Sequence, residues 1–147
     1  MSTFTFKIVT PERVVFESAV QKATLPTNTG EITVLPQHIP LVSRVIPGEI
    51  RITDAQNTEY LLSVSGGFVQ VHPGKIVILA DTAEMSHELS EERAHDAHER
   101  AKKILESKAG MTDRDVASMQ VLVDKEMARL KVARKHKERG IRGGLLK

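Results

Sequence analysis

Three groups of residues in this chain have types and spacings that invite a chemical reading. Glu91, His95 and Glu99 recur every four residues. On a helix that puts two carboxylates and an imidazole on one face, the beginning of a surface metal site. No further ligand follows from the pattern, so a solvated charged face is expected there, with no metal. The other histidines are His38, His72, His87, His98 and His136, and no catalytic constellation emerges among them. Six residues lie between Gly67 and Gly74-Lys75, and Ile76 follows. A phosphate-binding loop has four residues there and then Ser or Thr, so Gly66-Gly67 reads as a turn instead. The third group is basic: Lys125, Arg129, Lys131, Arg134, Lys135, Lys137, Arg139 and Arg142, offset only by Asp124, Glu126 and Glu138. A nucleic-acid face would carry aromatic residues for stacking, and none follows Phe68. An acidic protein surface is therefore the expected partner, and a stand-alone basic adaptor for nucleic acid is the alternative.

The 147 residues suffice for one compact domain with an appendage, and they contain no Cys. Disulfides and thiolate metal sites are excluded, and a reducing compartment is expected. The N-terminus lacks a basic segment followed by an apolar run, and no stretch nears the roughly 18 apolar residues of a membrane span. Any membrane association is expected to be indirect. The net charge of +2 is unevenly spread. Residues 1–88 carry 6 Lys/Arg against 9 Asp/Glu, a net −3. Residues 89–147 carry 15 against 10, a net +5. Such a split points to two modules with different surroundings.

The first module reads as short strands cut by turn residues. Strand-like runs fall at Thr3–Val9, Arg13–Phe16, Val20–Leu25, Glu31–Leu35, Leu41–Ile46, Glu49–Thr53, Glu59–Val64, Gly67–Val71 and Lys75–Ala80. Pro, Gly and Asn punctuate them, and the spacing predicts a β-sandwich or flattened barrel. Ile76 to Leu79 is apolar at every position, which predicts a central strand buried on both faces.

From Ser90 onward helix formers dominate. A hydroxyl followed by Glu91 and Glu92 is a helix start. Ala94, Ala97, Ala101, Ile104 and Leu105 share one face, and Lys108-Ala109-Gly110 ends the helix. Thr112 to Asp115 resembles a capping box, and Val116, Met119, Val123, Met127 and Leu130 make a second stripe. The two helices are expected to pack antiparallel. An alanine face buries little area, so the hairpin either rests thinly on the sandwich or opens. The fold class is α+β, with about nine short strands by this spacing, divided into a sandwich over 1–84, a linker at 85–89, a hairpin over 90–137 and a flexible tail at 138–147.

Four segments in order carry a family resemblance: Gly30 to Leu41 (GEITVLPQHIPL), Pro47 to Ile52 (PGEIRI), Val64 to Val71 (VSGGFVQV) and Ile78 to Glu84 (ILADTAE). With the alanine-rich hairpin behind them, they resemble the epsilon subunit of the bacterial F-type ATP synthase over about residues 3–137. The resemblance implies a non-catalytic rotor subunit of a proton-translocating complex, with about ten short strands in its sandwich. It would grip gamma and stand on the c-ring, peripheral to the cytoplasmic face of the inner membrane and without inserting in it. The loop carrying Glu31 and His38 corresponds to the ring-facing loop. The hairpin is implied either to fold on the sandwich or to extend toward the alpha and beta subunits and restrain ATP hydrolysis, with Arg129, Arg134 and Lys135 as the inhibitory basic face and no nucleic acid involved.

Some members of that family bind ATP on the folded hairpin. The corresponding positions here are Glu84, Leu89, Ser90, Arg93, Ala94, Arg100, Lys125 and Arg129. Ser90 stands where an Asp is found and Lys125 where an Arg is found, and Lys lacks the planar fork suited to phosphate. No cofactor is required, and ATP is expected to be at most a weak regulatory ligand.

Overall fold

The computed structural model describes residues 2–107 and 110–145. Nine strands form one continuous hydrogen-bonded system that folds into two layers. The order is β1 (Phe4–Val9), β8 (Lys75–Ala80), β7 (Gly67–His72), β4 (Leu41–Val45), β2 (Val14–Thr27), β5 (Gly48–Asp54), β6 (Glu59–Val64) and β9 (Ala83–Met85), with β3 (Gly30–Val34) paired to β2. The long strand β2 joins the layers. Its first half pairs with β1 from Val14 to Val20, and its second half pairs with β3 and β5. The runs Arg13–Phe16 and Val20–Leu25 are therefore one strand. Glu17-Ser18-Ala19 contains neither Gly nor Pro, so nothing interrupts the ladder. A short strand absent from the sequence reading, β9, pairs with β6 through Leu62↔Met85 and Val64↔Ala83. The sandwich thus reaches past residue 84 into the expected linker.

Alternation along the strands sends Phe6, Ile8, Val20, Leu25, Ile50, Ile52, Leu62, Val64, Ile76 and Ile78 into the space between the layers. Strand β8 departs from the expectation of burial on both faces: Ile76 and Ile78 are buried, but Leu79 is 61% exposed. Apolar character alone does not reveal which face has a neighbour. The doubly covered strand is β6, where Leu61 and Ser63 on the outer face are buried as well as Leu62 and Val64.

What covers that outer face is a helix. After a 3-10 turn at Ser86–Glu88, α1 (Glu91–Ser107) and α2 (Asp113–Leu145) pack on each other, and α2 lies across β5 and β6. Ser90 caps α1, its hydroxyl accepting from Arg93 N–H at 3.4 Å. The capping box at α2 is complete: Thr112 N–H donates to Asp115 Oδ2 at 3.0 Å, and Asp115 N–H donates to Thr112 Oγ1 at 3.2 Å. The α1 ending at Lys108 and Ala109 lies outside the described residues, while Gly110 has the positive φ of 75° that suits a helix terminus. Helix α2 does not stop at Lys137; it continues to Leu145, correcting the expected flexible tail. Glycine weakens a helix by only about 1 kcal/mol per residue, and no proline is present to break it.

Gly67 shows why the Gly66-Gly67 pair is required. It opens β7 with φ 149°, paired to Ala80, and a Cβ built there would run into the Leu79 carbonyl oxygen. Gly67→Ala is therefore expected to cost at least about 2 kcal/mol through backbone strain and displacement of β8. Thermal unfolding checks this; a melting temperature equal to the parent's would refute the steric argument.

Candidate functional site

Helix α2 is buried over more than half its circumference. At 100° per residue, Glu126, Leu130, Ala133 and Lys137 share one face. Ala128, Val132, Lys135 and Arg139 share a second, and Arg129 falls between. Glu126, Ala128, Leu130, Val132 and Ala133 are all buried. The first face lies toward α1, where Arg134 and Lys137 at its margins reach Glu91 at 3.2 and 3.6 Å. The second lies on the sheet, where Lys135 reaches Glu49 at 2.9 Å and Arg139 reaches Glu59 at 3.2 Å. Met127 belongs to the exposed remainder, which removes it from the expected apolar stripe. On α1, Ala94 and Ala101 are buried as expected, Ile104 is exposed, and His98 is buried between them. The spacing 94, 98, 101 would have marked His98 as a seam position, had its polarity not argued against it.

Arg129 occupies the corner where α2 meets the β9 edge of the sandwich. Its Nη1 donates to Glu126 Oε2 at 2.7 Å, and Nη2 donates to Glu84 Oε2 at 3.2 Å. Nε lies 2.8 Å from Glu84 Oε1 without aiming its N–H at it, a charge contact rather than a hydrogen bond. Burial alone would push the guanidinium pKa down. The hydrogen bond to Glu126 and the charges of Glu84 and Glu126 outweigh that and raise it, so Arg129 stays charged. Glu84 comes from β9, the strand the sequence did not reveal, and Glu126 was read only as a partial offset to a basic face.

The positions tied to nucleotide binding are only partly gathered. Glu84 and Arg129 are in contact, and Lys125 joins Glu84 in the wall of a cavity of about 270 Å³ with Thr10, Arg13 and Asp81. Ala94 is sealed in the helix seam, Leu89 is half-buried, and the Ser90 hydroxyl serves as the cap. Arg93 and Arg100 are exposed and make no ion pair among the described residues. Glu91 pairs with Arg134 and Lys137 instead of joining His95 and Glu99 around an ion. No group of three metal-binding side chains occurs among the described residues. Glu31 is exposed and accepts from Arg51 Nη2 at 2.7 Å, while His38 Nδ1 lies 2.7 Å from the Ile39 carbonyl in the loop before β4. Arg129, Arg134, Lys135, Lys137 and Arg139 of the basic face, then, already have acidic partners, and they belong to this chain.

The family profile described as "ATP synthase, Delta/Epsilon chain, beta-sandwich domain" matches residues 3–86. The chain is also 36% identical over 143 residues to the ATP synthase epsilon chain of Dichelobacter nodosus, covering 94% of this chain and 100% of that one. This chain belongs to the ATP synthase epsilon chain family. An epsilon chain of Desulfitobacterium hafniense is 39% identical over 132 residues, covering 90% and 97%. Epsilon chains are a non-catalytic subunit of the rotary complex, which accords with the lack of any catalytic constellation in the sequence. The fold itself recurs in a chain of the Euglena gracilis mitochondrial ATP synthase, with a TM-score of 0.74 at 19% identity, covering 87% of this chain and 79% of that one. A chain from the central stalk and c-ring of the Tetrahymena thermophila enzyme gives a TM-score of 0.54 at 14% identity.

The linker ahead of the helices is clamped by Glu88. Its carboxylate takes two bonds from Arg13 Nη2, at 2.9 and 3.1 Å, and one from Met85 N–H at 2.9 Å. Burial pushes the Glu88 pKa up, but the Met85 N–H and Arg13 hold it below the ordinary 4.5. Asp115 is likewise held below 3.8 by its Thr112 bonds. For a depressed carboxylate the stabilisation is complete above the unfolded value and lost as pH falls through the folded one. The linker is expected to loosen as pH falls below 4.5 and the start of α2 as it falls below 3.8, while Glu88→Gln flattens the response of the linker alone. Hydrogen exchange across pH 3–6 checks it; equal acid sensitivity in the parent and Glu88→Gln would contradict the role of the clamp.

Proposed function

We propose that this chain is a rotor subunit that links gamma to the c-ring of a proton-translocating ATP synthase and restrains ATP hydrolysis through its C-terminal helices. The observation that carries this reading is the asymmetry of the sandwich. Helix α2 covers the outer face of the β5–β6 layer, while the outer face of the β4–β7–β8 layer carries an exposed apolar cluster beside Arg44 and Gln70. Phe68 and Leu79 stand directly opposite each other, with Val42 diagonal to Phe68, and all three are 60–71% exposed. A contiguous patch of this kind marks a protein interface. Gamma is the occupant we assign to it. Leu35 and Ile39, also exposed, flank His38 in the loop we assign to the c-ring, with Glu31 close by in sequence. The related folds come from assemblies described as F1/c-ring and central stalk/c-ring, which supports the assignment. Among the described residues no helix is long and apolar enough to cross a membrane. Attachment at the cytoplasmic face of the bacterial inner membrane would run through the ring.

The inhibitory reading follows from the ion pairs. In the folded-down form Arg129, Arg134 and Lys135 are engaged by Glu84, Glu91 and Glu49. Lifting α2 from the sandwich frees Lys135 and leaves Arg129 to Glu126 alone, and parting of the two helices frees Arg134, so extension exchanges one set of carboxylates for acidic segments of the alpha and beta subunits. Deleting residues 89–147 is expected to raise ATP hydrolysis and leave synthesis largely intact. Glu84→Gln combined with Glu49→Gln keeps every cation but weakens the closed form, and should lower hydrolysis. Measured in the assembled enzyme, unchanged hydrolysis in the deletion removes the inhibitory role, and a rise in the double variant reverses the proposed competition.

ATP is assigned the part of a weak regulatory ligand. Glu84, Lys125 and Arg129 meet at one corner, yet Ser90 offers no carboxylate to brace a neighbouring arginine. One charge-assisted hydrogen bond is worth about 1.5–3 kcal/mol, roughly one to two decades in affinity. Ser90→Asp caps the helix equally well and is expected to tighten ATP binding by about that much in a calorimetric titration. Tight binding by the parent, or no gain in the variant, would count against this site.

A further inference from the structure

Glu31 and the hairpin are joined by a chain of four charges that runs across the outer face of the sandwich. Glu31 on β3 accepts from Arg51 on β5 at 2.7 Å. The other nitrogen of that guanidinium, Nη1, lies 3.6 Å from Glu49 Oε1. Glu49 in turn holds Lys135 of α2, with Nζ 2.9 Å from both carboxylate oxygens. Burial is graded along the chain. The Glu31 side chain is 57% exposed, Arg51 36%, and Glu49 only 9%. The innermost carboxylate therefore has little water to fall back on, and its charge is divided between two cations.

We propose that Glu31 is the outer end of a charge relay, through Arg51 and Glu49, that sets how firmly Lys135 holds α2 on the sandwich. The sign follows from counting charges. With Glu31 ionised and free to hold Arg51, two carboxylates balance two cations. Once a cationic partner captures Glu31, Arg51 turns wholly to Glu49. One carboxylate then faces two cations, and the attraction for Lys135 falls. A partner docking at the exposed end thereby loosens the helix at the buried end, with no movement of the strands between. Arg51 is suited to the middle position because its planar fork serves two carboxylates at once. The identity of the partner rests on the reading of Glu31 as ring-facing; the coupling itself does not.

The chain contains no Cys, so a spin-label pair can be introduced by Thr58→Cys on the β5–β6 turn and Lys131→Cys on the exposed side of α2. Pulsed dipolar spectroscopy on the isolated full chain then reads the fraction of open hairpin. Glu31→Gln is expected to raise the open fraction about two- to fivefold, the range for a partly exposed ion pair. Glu31→Lys should raise it further, and Glu17→Gln, an exposed acid on β2 outside the relay, should leave it unchanged. In an Arg51→Met background, where the competing cation is gone and the hairpin stays closed, Glu31→Gln should have no effect. An unchanged open fraction in Glu31→Gln overturns the relay, as does an equal rise with Arg51 removed. No partner is present in this measurement, so its outcome is independent of ring binding. A c-ring that fails to retain the parent chain in a pull-down would sink the functional reading and leave the relay standing.

Discussion

The position of the helical hairpin depends on one cation between two carboxylates. Arg129 draws Glu84 from the sandwich and Glu126 from its own helix into the same corner. Glu126 is buried, and without the guanidinium its charge would lack any counterion that the described residues show in contact with it. An arginine suits the place better than a lysine because its fork engages both acids in different directions. Once this corner is set, the rest of α2 follows in register: Lys135 lands on Glu49, Arg139 on Glu59, and Arg134 on Glu91. Three of the four anchoring acids, Glu49, Glu59 and Glu84, come from the sandwich.

The two modules are held together by different physics. The sandwich has a continuous core of Ile, Leu, Val and Phe, where burial is worth about 25 cal/mol per Å², and its buried Asp54 accepts from Gln56 N–H, Thr58 N–H and the Tyr60 hydroxyl. The hairpin seam offers mainly alanine and a buried histidine from α1. Much of its attachment therefore rests on ion pairs. Each partly exposed pair contributes about 0–1 kcal/mol and weakens with salt. A closed form built this way can be left at low cost, and it can be tuned by any partner that competes for one of the charges. The division of labour leaves the core of the sandwich independent of the hairpin that lies on it.

Much of the sandwich was legible because strand period and turn chemistry are local. The runs bounded by Pro47-Gly48, Ser65-Gly66 and His72-Pro-Gly74 became β5 to β8 nearly as read. Ser90 and the Thr112–Asp115 box marked both helix starts, since capping needs only residues three apart. Strand β9 was missed because three residues, Ala83 to Met85, carry no period, and their strand character comes entirely from pairing with β6. The end of α2 was missed for the opposite reason: glycines at 140, 143 and 144 argue locally for fraying, and the helix continues past them.

The sequence by itself determined the family, the division into an apolar β module and a charged helical one, and the presence of a basic face on the second helix. Those features lie in residue types and short spacings, which survive without knowledge of what touches what. Only the tertiary structure decided where that basic face points. Lys135 is 86 positions from Glu49 and Arg129 is 45 from Glu84, distances along the chain at which no local rule operates. Ile76 to Leu79 and Glu59 to Val64 make the same point. The first reads as buried on both faces and the second only as a strand, yet the one covered on both faces is the second, on which α2 lies. Burial belongs to the pair of surfaces that meet, and a sequence describes each surface alone.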